Sequence, residues 1–239
     1  MAVEHVPQTR PRDDVARGIA ARAAQIGVMF LLIGFGLLGA AGRLDWGWGW
    51  AYLAIYLAST LVNTWFLRWN PELVAERGQP GRMPTWDKAL GGLWSLAHFV
   101  LLPLVAGLDE RFGWTGPADI AWQLAGVVIF GTGLALFGWA MIANAYFSTV
   151  ARVQPERGQA VCREGPYRFV PQPGYVGAIL QSIGTPFLLG SLWALLPAVI
   201  AAALMAARTS FEDRMLMVDL PGYGEYVHDV RHRLLPGVW

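Results

Sequence analysis

An all-α, polytopic membrane helix bundle is the fold class this sequence predicts, and three observations predict it. The 239-residue chain is 55% hydrophobic and only 15% charged, with a mean hydropathy of +0.39, well above a soluble domain. It contains about six apolar stretches that qualify or nearly qualify as spans, none holding Asp, Glu, Lys or Arg. Its Lys and Arg residues alternate between rich and poor connections, in the order 4, 1, 4, 1, 4, 0, 4. By the positive-inside rule that alternation predicts cytoplasmic N and C termini.

Taken in order, residues 1–22, with Pro7, Pro11 and mixed charges, are expected to form a cytoplasmic tail, mobile or interfacial. Residues 23–118 are expected to hold three transmembrane helices, Ala23 to Ala41, Gly47 to Leu67 and Ala89 to Leu108. Residues 119–239 are expected to hold three more, Ile120 to Phe147, Tyr175 to Leu189 and Leu192 to Ala207, with a cytoplasmic loop and tail. The last two are short and parted only by Gly190 and Ser191, which reads as a tight helical hairpin with Pro186 and Pro197 able to kink its arms. His98, Asn63, Gln123, Asn144 and Gln181 are costly against lipid and are expected to face the bundle. Gly34, Gly36, Gly39, Gly131, Gly133 and Gly138 read as close-packing positions between helices. The first apolar run follows a 22-residue lead and is long enough to stay in the membrane, which disfavours a cleaved signal peptide.

Composition also narrows function. Eighteen basic and 17 acidic residues, net +1, give no basic stripe for a nucleic-acid partner. The single cysteine, Cys162, excludes an internal disulfide or a Cys-rich metal site. His228 and His232 are four apart, but no third ligand stands near them, so no metal is expected.

Polar residues concentrate in two segments, Asn144 to Tyr175 and Arg208 to Trp239. The first is rich in Pro and Gly and reads as a rigid non-helical loop at the membrane edge, whose backbone groups need partners in protein, water or a ligand. Tyr167 and Tyr175 are either interfacial belt residues or aromatic faces for a cation or an adenine ring, and Arg168 either a lipid anchor or a carboxylate holder. Glu212 and Asp213 are either a solvated helix end paired with Arg208 or Arg214, or an inward-facing acidic group.

These segments contain Gly165-Pro-Tyr-Arg-Phe-Val170, Pro173-Gly-Tyr-Val-Gly177, the hairpin, Glu212-Asp213, Gly222-Tyr-Gly-Glu-Tyr226 and Leu234-Leu-Pro236. Over residues 140–239 the pattern resembles the isoprenylcysteine carboxyl methyltransferase family and its bacterial membrane relatives. Upstream, Asn70-Pro-Glu-Leu-Val-Ala-Glu-Arg77 and Gly107-Leu-Asp-Glu-Arg-Phe-Gly-Trp114 look like the less characteristic half of those relatives. The resemblance implies a methyltransferase of the bacterial inner membrane that uses S-adenosylmethionine in a cytoplasmic pocket, with a lipophilic or prenylated acceptor entering from the bilayer lipids. Position by position, it implies that Tyr167, Gln172, Pro173, Tyr175, Gly177, Glu212 and Asp213 surround the cofactor. Arg168, Glu212 and Arg231 are the implied catalytic set, Arg231 toward the acceptor's carboxylate.

One family motif is altered: the loop's Arg-His-Pro is replaced by Pro171-Gln172-Pro173. Gln172 donates and accepts hydrogen bonds but carries no charge, and Pro171 lacks both a guanidinium and an N–H. A carboxylate acceptor, with an ordinary pKa near 3.5, is already ionised at pH 7 and needs no general base. Two other readings stay open at this point: the same cavity running an isomerisation, cyclisation or reduction, or a non-catalytic lipid-binding protein.

Overall fold

A computed structural model describes residues 11–78, 81 and 83–230, and among these the chain is all-helical. Helix α1 (Arg12–Gly34) continues through a π-helical turn, Phe35–Gly39. Then come α2 (Gly47–Leu67) and the short α3 (Pro71–Gly78). Helices α4 (Thr85–Leu96) and α5 (Leu102–Phe112) form one rod through a second π-helical turn, Ala97–Leu101. Helix α6 (Ile120–Ala143), a long irregular loop, α7 (Pro173–Leu189), α8 (Leu195–Asp219) and the short α9 (Tyr223–Asp229) complete the order.

Among the described residues, five helices are long and apolar enough to cross a membrane: Arg12–Gly39, Gly47–Leu67, Thr85–Phe112, Ile120–Ala143 and Leu195–Asp219. The sixth expected span is α7, which has 17 residues and so a length of about 25 Å, short of the roughly 30 Å hydrocarbon core. It is also largely buried among its neighbours, whereas Leu31, Phe35, Leu61, Val128 and Val199 on the longer helices face outward. Several boundaries differ from expectation. Helix α1 begins at Arg12, so residues 12–22 are helical and continuous with the first span, α6 stops at Ala143 short of Phe147, and α8 runs on from Ala207 to Asp219.

A glycine seam holds α7 against α6 in antiparallel register. A Cβ on Gly177 would stand 2.7 Å from the Gly133 carbonyl oxygen and 2.8 Å from the Phe137 nitrogen, and one on Gly133 would stand 2.7 Å from the Gln181 nitrogen. Gly126 and Gly184 lie equally close to the backbones of Leu188 and Phe130. Because no driving force separates helix faces from lipid as water does, this close approach of backbones is what selects the pairing. Gly133 and Gly138 therefore fit the expected packing role, the latter against Asn63, whereas Gly34 and Gly131 face open space.

Around the seam, Ile33, Leu37, Tyr52, Phe130 and Leu188 are fully buried, with the Tyr52 and Phe130 rings 5.1 Å apart. The intramembrane polar groups turn inward as expected. Ser182 donates to the Ala178 carbonyl at 2.9 Å, so its oxygen accepts from His98 Nδ1 at 2.8 Å, and Gln181 donates to the Gly133 carbonyl.

At one end of the bundle the turns are short and clamped. Asp109 accepts from the Thr115 backbone N–H (2.8 Å) and from the hydroxyls of Thr115 and Ser191 (2.5 Å each), which ties the end of α5 to the turn between α7 and α8. Gly190 closes α7 with φ of 72°, the left-handed cap a side chain disfavours. All the long segments gather at the opposite end.

Replacing Gly177 with Leu is expected to destabilise the detergent-solubilised protein by at least about 1–3 kcal/mol, because the new side chain meets backbone on both sides. Gly131→Leu, in open space, is expected to leave the melting temperature unchanged, and thermal unfolding followed by tryptophan fluorescence compares the two.

Candidate active site

The loop from Asn144 to Gln172 connects two tightly paired helices, and its backbone groups are satisfied by its own turns and by side chains. Asn144 ends α6 and accepts from the Tyr146 N–H at 2.9 Å. Gln154, fully buried, donates to the Tyr146 carbonyl at 2.8 Å and accepts from Arg157 at 2.6 Å, while its own N–H donates to the Gln159 side chain at 2.7 Å. The Tyr146 hydroxyl closes the ring on the Gly158 carbonyl at 3.0 Å. A loop braced in this way resists collapse.

Two ion pairs fasten it to the bundle. Asp87, in the first turn of α4 and only 1% exposed, takes Arg208 of α8 at 2.6 Å. Its second carboxylate oxygen accepts from the Ala151 N–H at 2.7 Å, and Arg208 also donates to the Thr149 carbonyl at 3.1 Å. Nearby, Arg152 pairs with the fully buried Glu76 of α3 and with Glu156, at 2.8 Å each.

Between the loop, the start of α7, the end of α8 and α9 lies a cleft open to solvent. Its walls are aromatic, with Tyr146, Phe147, Tyr167, Tyr175, Tyr223 and Tyr226, and its polar groups include Asn144, Gln172 and Glu212. The Tyr175 hydroxyl donates to Glu212, and the Arg208 guanidinium stands 5.2 Å from the Tyr175 ring centroid. The Tyr226 hydroxyl donates to the Tyr167 carbonyl at 2.6 Å, and Asn144 donates to the Tyr167 hydroxyl at 3.3 Å.

Of the residues singled out from the sequence, Tyr167, Gln172, Tyr175 and Glu212 line this cleft. Asp213 does not. It is buried one position further round α8 and accepts from the Tyr223 hydroxyl at 2.7 Å, which fixes α9 over the site. Pro173 opens α7, where its missing N–H is not needed, and Gly177 belongs to the glycine seam, so both act by placing the helix. Arg168 ends the turn Gly165–Arg168, is exposed and stands outside the lining. Arg231 lies outside the described residues.

Asn144, expected to face the bundle, also lines the cleft; Tyr146, Tyr223 and Tyr226 were not singled out, although the last two sit in the Gly222–Tyr226 motif, and Asp87 carried the faint signal of an acid at the mouth of an apolar helix. Burial pushes the Tyr167 phenol far above the usual range, and burial together with Asp213 does the same to Tyr223, so both remain protonated donors at physiological pH. Burial likewise raises the Cys162 thiol. None of these three groups is a base at pH 7.

Residues 122–219 match the family model of the phospholipid methyltransferases. The matched stretch runs from α6 to the end of α8, so it contains the loop and every cleft residue except those contributed by Leu220 and α9. No curated protein matches the chain. The family match supports a membrane methyltransferase in general terms, consistent with helices able to span a bilayer.

Arg208→Met is expected to cost about 3–5 kcal/mol by stranding Asp87, with protease sensitivity appearing between residues 144 and 172. Arg214→Met, at an exposed position, is expected to stay within about 0.5 kcal/mol of wild type by the same thermal assay. Because its thiol is raised, Cys162 is expected to alkylate slowly at pH 7 and faster as the pH rises above 9, read by mass spectrometry of the iodoacetamide adduct.

Proposed function

We propose that the cleft binds S-adenosylmethionine and that the protein transfers its methyl group to a lipophilic acceptor bearing a carboxylate of the isoprenylcysteine type. The observation that carries this reading is that the family-matched stretch itself folds around an aromatic cleft with one inward carboxylate, Glu212. The residues present fit such a donor. Aromatic faces suit a sulfonium cation, Glu212 suits an ammonium or a ribose hydroxyl, and the amides of Gln172 and Asn144 suit polar edges. Gln172 stands where the family's loop has histidine, and it reaches the cleft as an uncharged hydrogen-bonding group.

When bound, the donor supplies an electrophilic methyl: the C–S bond breaks with its electron pair kept on sulfur as an acceptor oxygen forms the new C–O bond. The chain's part is to hold and enclose. Tyr175 orients Glu212 by donating to it, the tyrosine walls exclude water, and the loop clamps keep the walls in place. No proton moves when the acceptor is a carboxylate, which accords with a lining whose tyrosines and thiol stay protonated. We place the cleft on the cytoplasmic side of a bacterial inner membrane, since the Lys- and Arg-rich segments gather at the cleft end.

Titration calorimetry tests the reading with S-adenosylmethionine and its demethylated product on wild type, Glu212→Gln and the double variant Pro171→Arg, Gln172→His. Wild type is expected to bind both, and Glu212→Gln to bind about tenfold or more weakly, the scale of one lost hydrogen bond to a charged group. Binding by the double variant alone would mean the natural protein has left methyl transfer; no binding by any of the three would remove the reading.

A further inference from the structure

One buried cation is not used by anything described so far. Arg77, at the end of α3, is 5% exposed. Its neighbour Glu76 is matched to Arg152, but Arg77 meets no carboxylate among the described residues. Its guanidinium makes one long hydrogen bond, 3.4 Å to the Phe147 carbonyl, and lies 5.2 Å from the Phe147 ring centroid and 5.9 Å from that of Phe137. A second guanidinium, Arg22 of α1, stands close enough for the two like charges to act on each other, and it too meets no carboxylate, only the Gln25 side chain at 3.3 Å.

This arrangement is not a loose surface accident. Helices α1 and α3 are pressed together at Gly18 and Gly78, where neither position has room for a Cβ, and Gln25 donates to the Gly78 carbonyl at 2.9 Å. The packing therefore holds two arginines at one place against their repulsion. Burying an unmatched charge is costly, so the buried Arg77 guanidinium, with the half-buried Arg22 adding like charge nearby, is a place that calls for a counter-ion. Burial, with Arg22 adding to it, holds the Arg77 guanidinium well below its usual pKa, the direction an anion would reverse.

Position says which anion. Phe147 lines the cleft and meets Arg77 through both its carbonyl and its ring. Phe137 lies in α6 about 9 Å along the helix from its end at Ala143, inside the membrane-spanning length. The guanidinium thus stands beside the cleft on the side toward the apolar interior. A soluble anion would reach the open mouth first; an amphiphile with its tail among the helices would bring its head group here.

We propose that Arg77, backed by Arg22, receives the anionic head group, a carboxylate or a phosphate, of an amphiphile whose apolar tail lies among the spans. Bidentate pairing with a planar guanidinium suits either head group. That this amphiphile is the methyl acceptor rests on the methyltransferase reading; the anion site itself does not.

The experiment follows thermal unfolding in a nonionic detergent with dodecanoate, dodecyl phosphate or dodecanol added, and with no methyl donor present. Wild type is expected to be stabilised by one or both anions and not by the alcohol, the larger shift naming the head group. Arg77→Met is expected to melt at or above the wild-type temperature without ligand, because an unmatched buried charge has been removed, and to lose the shift with the anions. Arg77→Lys is expected to keep part of it, and Arg214→Met, at an exposed site, all of it. An Arg77→Met protein that melts far below wild type would make Arg77 a structural residue and overturn the proposal, as would an undiminished anion shift in that variant or equal responses of wild type to dodecanoate, dodecyl phosphate and dodecanol. A pattern as expected alongside failed S-adenosylmethionine binding would keep the anion site and discard the methyl donor.

Discussion

The buried contact between Arg208 and Asp87 is the constraint on which the site depends. It joins α4 to α8 across the bundle, and the same two side chains bind the backbone at Thr149 and Ala151. The loop would otherwise be a thirty-residue excursion with few apolar contacts of its own, and loops of that length hold one conformation only when something outside them does so. A charge pair in which each partner also meets a backbone group is the arrangement in which a low-dielectric interior favours ions. With the loop set, Tyr146, Phe147 and Tyr167 have fixed places from which to face α8.

A second constraint acts on the other wall. The glycine seam brings α7 against α6 at backbone distance, which lets a helix too short to span sit inside the bundle instead of at its edge. Its N-terminus, at Pro173, then opens beside the loop, and Tyr175 reaches Glu212 on α8. The proline at the first helical position and the glycine just past the last are the ends such a helix needs. Both walls of the cleft are therefore consequences of packing decided elsewhere in the chain.

The chemistry of the cleft follows from what these constraints bury. Tyrosines with raised pKa, an uncharged Gln172 and one carboxylate held by a phenol make a lining that binds and excludes water but offers no strong base among the described residues. Such a lining suits a reaction whose electrophile arrives already activated and whose nucleophile is already ionised. Arg77 and Arg22, on the apolar side, add positive charge where an ionised acceptor would gain from it.

The sequence by itself determined the membrane class, most helix positions, the hairpin at Gly190 and the two polar segments, because apolar length, charge alternation and turn residues act locally and are written locally. It also pointed to Tyr167, Gln172, Tyr175 and Glu212, which lie within recognisable short motifs. Only the tertiary structure decided that Arg168 stands outside the cleft, that Gly177 and Asp213 serve packing and bracing, and that Asp87, Tyr146 and Arg77 matter. Those roles belong to pairs such as Asp87 with Arg208, 121 positions apart. The energy of such a contact depends on burial and mutual orientation, which no local window of sequence contains, since neither partner is polar in a pattern until the fold brings the other to it.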